Sequence, residues 1–272
     1  MAESILNIEQ VSLAFGGVKA LTDVSFSVKT GSVFSIIGPN GAGKTSMLNC
    51  ISGRYRPNSG NITFDGKNVT SLRPNYRADL GMGRTFQNLA LFGHMSVLDN
   101  IMVGRHHLLK NNWLTGPLYW ASGAQKEELA HRRKVEEVID FLEISHIRKS
   151  IAGTLSYGLR KRVELARAMA LNPKLILLDE PMAGMNLEEK EDMARYILDL
   201  NEEFGITVVM IEHDMGVVMD ISHEVMVLDF GKKLISGLPD EVMADPYVKR
   251  AYLGLEDDDD AAEQSVKIAE VS

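Results

Sequence analysis

Near the start of the chain, apolar residues recur at every second position. Val11, Leu13 and Phe15 are followed, after Gly16-Gly17, by Leu21, Val24, Phe26 and Val28 at nearly the same period. Such alternation turns one strand face to a core and the other to water. Residues 5–29 are therefore expected to form two antiparallel strands joined at the glycines. Val33, Phe34, Ile36 and Ile37 make a denser run that predicts a short buried strand, and a helix is expected over roughly Lys44 to Ser52. Turns at Pro57-Asn58-Ser59-Gly60 and Asp65-Gly66 bracket a predicted strand over Asn61 to Phe64, and Gly83 to Gln87 predicts another.

The period then lengthens. Ser96 with Asp99 is a capping-box start for a helix through about Arg105. Residues 111–123, with Trp113, Pro117, Tyr119 and Trp120, read as a loop. Val135, Val138, Ile139 and Leu142 fall at i, i+3, i+4 and i+7, the stripe of a long helix. A further helix starts near Ser156. Leu175-Ile176-Leu177-Leu178 restores the buried-strand pattern. A helix (about 187–204), a strand (206–211), a helix (about 215–221), two strands (224–229, 232–236) and a helical stretch from Asp240 to Leu253 complete it. The expected architecture is an α/β domain over residues 1–254 with helices inserted at about 90–160.

Charge alters this picture only at the end. The net charge is −8, but Glu256 to Ser272 holds seven acids and one base, a net of −6. The body carries only −2, which gives no electrostatic reason to expect nucleic acid as a partner. Residues 255–272 read as an acidic, disordered tail. The single cysteine, Cys50, excludes an internal disulfide and fits a reducing compartment. The start, MAESILNIEQ, lacks the basic and apolar regions of a signal peptide. No apolar run approaches the ~18 residues of a membrane span, so a link to a membrane is expected to pass through another protein.

Between the buried strand and its helix lies Gly38-Pro39-Asn40-Gly41-Ala42-Gly43-Lys44-Thr45, which fits G-x-x-x-x-G-K-[ST] at every fixed position. The glycines let backbone N–H groups turn inward around a phosphate, and the helix aims its positive end at the same anion. Lys44 is placed to reach the outer phosphates and Thr45 to offer a hydroxyl to Mg²⁺. Asp179-Glu180 ends the Leu175–Leu178 run, where ligands bind in open α/β sheets. Successive strand residues point opposite ways, so the acids divide the work. Asp179 suits Mg²⁺, and Glu180 suits the water attacking the γ-phosphate.

Other candidates carry a plainer alternative. His213 ends the 206–211 strand and reaches the phosphate edge only if that strand neighbours Leu175–Leu178; a lone histidine is more often structural. Gln87, in Arg84-Thr85-Phe86-Gln87-Asn88, offers an amide oxygen to Mg²⁺ or water, but glutamines at strand ends are common. Ser156 and Gly158, in Leu155-Ser156-Tyr157-Gly158, open a helix that suits a second anion site shared with another subunit, although spacing alone favours an ordinary Ser cap. Phe15 fits a core position or an adenine-stacking ring.

Taken in order, GPNGAGKT, Gln87, LSYG before a basic helix, LILLDEP and a histidine 33 residues after Asp179 resemble the ATP-binding subunit of an ABC transporter. The likeness covers about residues 4–254. GRTFQNLALFGHMSVLDNIMVG, IEHDM and RAYLG are similar to the LivG type, which serves branched-chain amino acid importers. The resemblance implies a P-loop NTPase (RecA-like) core with an antiparallel β subdomain and an inserted helical subdomain. It implies ATP and Mg²⁺ as ligands. Nucleotide contacts would come from Phe15, stacked on adenine, and from Gly38, Pro39, Asn40, Gly41, Ala42, Gly43, Lys44, Thr45 and Ser46. Ser156 and Gly158 would serve the nucleotide of a second ATPase subunit, as in a LivF-like heterodimer.

Thr45, Gln87 and Asp179 would meet the metal, and Glu180, His213 and Gln87 would act in catalysis. Two permease subunits would hold the chain at the cytoplasmic face of the inner membrane. Gln87 and the groove around Leu89 to Met102 would touch their helices, and a solute-binding protein would act indirectly. The usual LSGGQ reads Leu155-Ser156-Tyr157-Gly158-Leu159 here, and the usual S-A-L-D reads Ala183-Gly184-Met185-Asn186. Both changes fall on the half-site offered to the sister subunit. A soluble ABC ATPase is the alternative, against which stands the expectation of a single ATPase half, no long coiled-coil insertion and no basic body; a P-loop kinase is a third reading, and the solute is left open.

Overall fold

The computed structural model describes residues 3–85, 90–108 and 124–253. Two sheets share the work. The first, in order β2-β1-β4-β5, is antiparallel and contains β1 (Ser4–Phe15), β2 (Val18–Lys29), β4 (Ser59–Phe64) and β5 (Lys67–Asn68). The expected hairpin is present: Phe15 pairs with Val18, and Gly16 takes a left-handed φ of 57° in the turn between them. Gln10 and Asp23 also have positive φ, and the register shifts between Ile8 and Leu13. Bulges of this kind increase the twist of a hairpin.

The second sheet runs β10-β9-β3-β8-β7-β6. Its members are β3 (Val33–Ile37), β6 (Met82–Arg84), β7 (Leu175–Asp179), β8 (Thr207–Ile211), β9 (Glu224–Asp229) and β10 (Lys232–Gly237). All neighbours pair in parallel except β10 against β9. Strand periodicity sorts its side chains into two cores. Phe34, Ile36, Leu175, Leu177, Val209, Ile211, Met226 and Leu228 face the antiparallel sheet and α1 (Lys44–Ile51). Val33, Ile176, Leu178, Val208, Met210, Val225 and Val227 face a layer of helices.

Between β6 and β7 the chain forms α3 (Val97–Gly104), α4 (Ala124–Phe141) and α5 (Tyr157–Met169). Val135, Ile139 and Leu142 are fully buried and share one core with Val97, Ile101 and Val163. The Ser96 hydroxyl accepts from Asp99 N at 3.1 Å, which caps α3 as expected. After β7 come α6 (Leu187–Phe204) and α7 (Met215–Ile221).

Three expectations change. The strand predicted over Gly83 to Gln87 is described only as Met82–Arg84, and Gln87 lies outside the described residues. The helical stretch from Asp240 is two helices, α8 (Pro239–Ala244) and α9 (Pro246–Leu253). Asp245 between them is extended, with φ −63° and ψ 127°, because the ring of a following proline disfavours helical backbone. A short helix with proline in its first turn, α2 (Pro74–Asp79), went unpredicted. Trp113 to Trp120 and the acidic tail lie outside the described residues.

Candidate functional site

The loop at the carboxyl end of β3 is built on glycine. A Cβ at Gly38 would stand 2.0 Å from the Leu228 carbonyl oxygen. At Gly43, φ is 100° and a Cβ would stand 2.6 Å from Ala20 O. Side chains are thus excluded where β9 and β2 press on the loop. Gly231 N donates to Ala42 O at 2.9 Å and braces it from the β9–β10 turn. Gly43 is the N-cap of α1 and has no side chain with which to cap that helix start. An uncapped helix start with inward backbone is a receptor for an anion.

Lys44 is 6% exposed, and its Nζ donates to Gly38 O at 2.7 Å and Pro39 O at 2.9 Å. Burial lowers its pKa, while the nearby charges of Glu180 and Asp179 act to raise it. Thr45 and Ser46 follow, half-buried in the first turn of α1.

The acids leave β7, whose neighbour β8 lies between it and β3. Asp179 continues the side of Leu175 and Leu177, so its side chain emerges over the α1 face. It is 1% exposed. Its Oδ2 accepts from Arg84 Nη2 at 3.2 Å, and its Oδ1 is buried without a hydrogen-bond partner among the described residues. Burial raises the Asp179 pKa, and Arg84 opposes the rise.

Glu180 has a φ of 51°, which turns it out of the strand. Its backbone is pinned on both sides: Glu180 N donates to Ile211 O at 3.0 Å, and Lys161 Nζ donates to Glu180 O at 3.2 Å. Its Oε1 meets His213 Nε2 at 2.7 Å. The condition placed on His213 is met, since β8 does pair with β7.

Sequence reasoning missed the group that sets this pair. Glu212 is 3% exposed; its Oε1 accepts from Met182 N at 2.7 Å and its Oε2 from His213 N at 3.1 Å. One buried carboxylate thus ties the turn after Glu180 to the residue that faces Glu180. Burial raises its pKa, and the two backbone bonds oppose the rise. The available signal was an acid directly continuing an apolar strand run. Next along, Asp214 accepts from Lys190 Nζ at 2.6 Å, which lowers the Asp214 pKa.

Ser156 caps α5 through a long 3.4 Å bond from Leu159 N. Gly158 faces α6, where a Cβ would stand 2.2 Å from Glu189 Oε1. Tyr157 packs its ring on Gly184, whose φ is 76°. Asn186 and Glu189 form a capping box at the start of α6. The two segments that depart from the usual pattern, 155–159 and 183–186, therefore pack on each other. Phe15 is 50% exposed, edge-on to Tyr55 with ring centroids 5.1 Å apart. Its alternation with Val11 and Leu13 does not carry it into the core.

A glycine cradle at a helix start, a buried lysine beside it and a divided acid pair on the next-but-one strand define a P-loop nucleoside triphosphatase. The particular family follows from the whole chain. The profile of the family described as "ABC transporter" matches residues 21–183. The chain is 38% identical over 256 residues to the high-affinity branched-chain amino acid transport ATP-binding protein LivG of Salmonella typhimurium, covering 93% of this chain and 99% of that one. It is 37% identical over 254 residues to the corresponding protein BraF of Pseudomonas aeruginosa, with the same coverage. Among solved structures, the ADP conformation of MJ1267, an ATP-binding cassette of an ABC transporter, aligns with a TM-score of 0.80 at 34% identity. That alignment covers 93% of this chain and all of MJ1267. The chain belongs to the ABC transporter family, and it is an ATP-binding subunit with ATPase activity.

Proposed function

We propose that this chain drives an importer of branched-chain amino acids or related small solutes, together with a sister ATPase subunit and two permease subunits. Among the described residues no helix is long and apolar enough to cross a membrane. In this reading the permeases hold the chain at the cytoplasmic face of the inner membrane, and a solute-binding protein delivers the cargo. Residues 90–160 act as an inserted helical subdomain that carries Ser156 and Gly158 to the sister's nucleotide. Residues 1–254 form the cassette, and 255–272 are an appendage.

The observation that carries the site assignment is the buried Asp179 Oδ1 near the glycine cradle, which lacks a partner among the described residues. An anionic oxygen in that position fits a cation. Among the described residues no group of three His, Cys, Asp or Glu side chains gathers into a metal site. Mg²⁺ here would therefore complete its shell with phosphate oxygens and water, as it commonly does. Asp179 and Thr45 would hold it, with Gln87 as a further ligand. Once bound, the ion neutralises charge on the β- and γ-phosphates.

The chain's own groups do the rest. The backbone from Gly38 to Gly43 and the N–H groups opening α1 cradle the phosphates. Lys44 is already directed along the loop and gains an anion in place of carbonyl partners. Glu180 accepts a proton from water, and His213 holds its Oε1 and donates toward the γ-phosphate when Glu180 is turned to the water. Phe15, exposed on the hairpin end, stacks on adenine.

The test is Glu180→Gln in the assembled transporter. ATP binding stays within about twofold of wild type, and hydrolysis falls by at least ~100-fold, the scale of a lost general base. Wild-type turnover would remove Glu180 from the chemistry. Uptake of radiolabelled leucine by vesicles carrying the complex tests the transport reading. An active ATPase with no uptake and no membrane partner points instead to a soluble ABC enzyme.

A further inference from the structure

Arg84 ends the short edge strand β6, where it pairs in register with Leu177 of β7. That register puts it beside Asp179 at the same sheet edge. Its side chain is only 10% exposed. Nη2 donates to Asp179 Oδ2 at 3.2 Å, while Nη1 donates to Ser52 Oγ and to Leu48 O at 3.4 Å. Leu48 and Ser52 belong to the last turn and C-cap of α1. One planar guanidinium therefore joins three elements: the helix that begins at the phosphate loop, the edge strand, and the acid at the end of β7. Among the described residues Asp179 makes no other side-chain hydrogen bond, and its second oxygen is buried without a partner. Charge alone does not account for this arrangement, because a cation next to a metal acid repels the metal.

We propose that Arg84 is the positioning residue that aims the Asp179 carboxylate, holding Oδ2 so that Oδ1 faces the divalent cation of the nucleotide. This rests on the nucleotide reading above. With Oδ2 fixed at one end and α1 at the other, the carboxylate is locked in rotation relative to the loop that carries Lys44 and Thr45. Arg84 also lies three residues before Gln87 in sequence, so the segment leaving β6 starts from a residue bonded to the metal acid. Lysine in its place has no planar fork to span Ser52 and Asp179 together.

The experiment uses the full chain and four proteins: wild type, Arg84→Met, Arg84→Lys and Ser52→Ala. Binding of ATP is measured in EDTA, and Mn²⁺ uptake is titrated by electron paramagnetic resonance with ATP saturating. In Arg84→Met, ATP binding in EDTA is expected to stay near wild type while Mn²⁺ affinity falls about 10-fold or more, as for other residues that orient a metal ligand. Arg84→Lys recovers part of the loss, and Ser52→Ala shows a smaller loss in the same direction. Unchanged or tighter Mn²⁺ binding in Arg84→Met overturns the proposal, and so does an equal loss of ATP binding in EDTA. If Arg84→Met does not fold, Ser52→Ala decides, and wild-type Mn²⁺ affinity there overturns the proposal. A wild-type chain that takes up no Mn²⁺ with ATP overturns the nucleotide reading itself. Equal uptake by all four proteins sinks only the inference about Arg84.

Discussion

At the scale of single residues, the site depends on carboxylates held in unlike surroundings. Asp179 is buried beside a guanidinium, Glu180 is bent out of the strand to meet a histidine, and Glu212 is buried between two backbone donors. The left-handed backbone at Glu180 costs on the order of 1 kcal/mol and persists because Ile211 and Lys161 hold it. Glu212 makes a pH prediction. Its pKa is raised in the folded chain above its ordinary 4.5, so the folded state holds that proton more tightly than the unfolded one. Its contribution to stability is thus full below about pH 4.5 and declines as pH rises through the folded-state value. Glu212→Gln removes this dependence. In urea unfolding, the gap between wild type and variant should drift against wild type as pH rises from about 4 to 7; parallel curves would sink the assignment. Asp179 and Glu180 were readable because an apolar run ended in them. The importance of Glu212 was not, because a buried acid shows its purpose only through the N–H groups it meets.

At the scale of elements, the start of α5 and the start of α6 form one unit. Tyr157 covers Gly184, and Gly158 faces Glu189 of the Asn186 capping box. Ser156 contributes little to its own helix, because its capping bond is long and the residue is exposed. Ser156→Ala should cost only about 0.5 kcal/mol, the low end for a cap, and should leave ATP binding to the separate chain intact. In the assembled transporter it should lower ATP turnover by at least ~10-fold, as loss of a charge-stabilising donor does. A variant that turns over normally in the complex would return Ser156 to an ordinary cap. Long elements such as β1, β2 and α6 were legible within a residue or two, and α4 was legible as an apolar stripe. The break at Asp245 was not, since it depends on a proline clash.

At the scale of the whole molecule, the chain holds a complete phosphate cradle and, on α5, a second helix start that packs on α6. If each nucleotide needs both from different subunits, hydrolysis per chain depends on meeting a partner. Specific ATPase activity should rise with added sister subunit and fall on dilution of the complex. A constant specific activity for the lone chain across a ~100-fold dilution series rules out the shared site. The sequence by itself determined the loop chemistry, the strands that carry the acids and the period of the helices. These are local properties: glycine spacing, side-chain alternation and apolar stripes act over a few residues. Only the tertiary structure decided that β8 lies between β3 and β7, that Arg84 bridges Ser52 and Asp179, and that Phe15 faces solvent. Those outcomes depend on strand order and on packing between residues far apart in the chain, which no local pattern encodes.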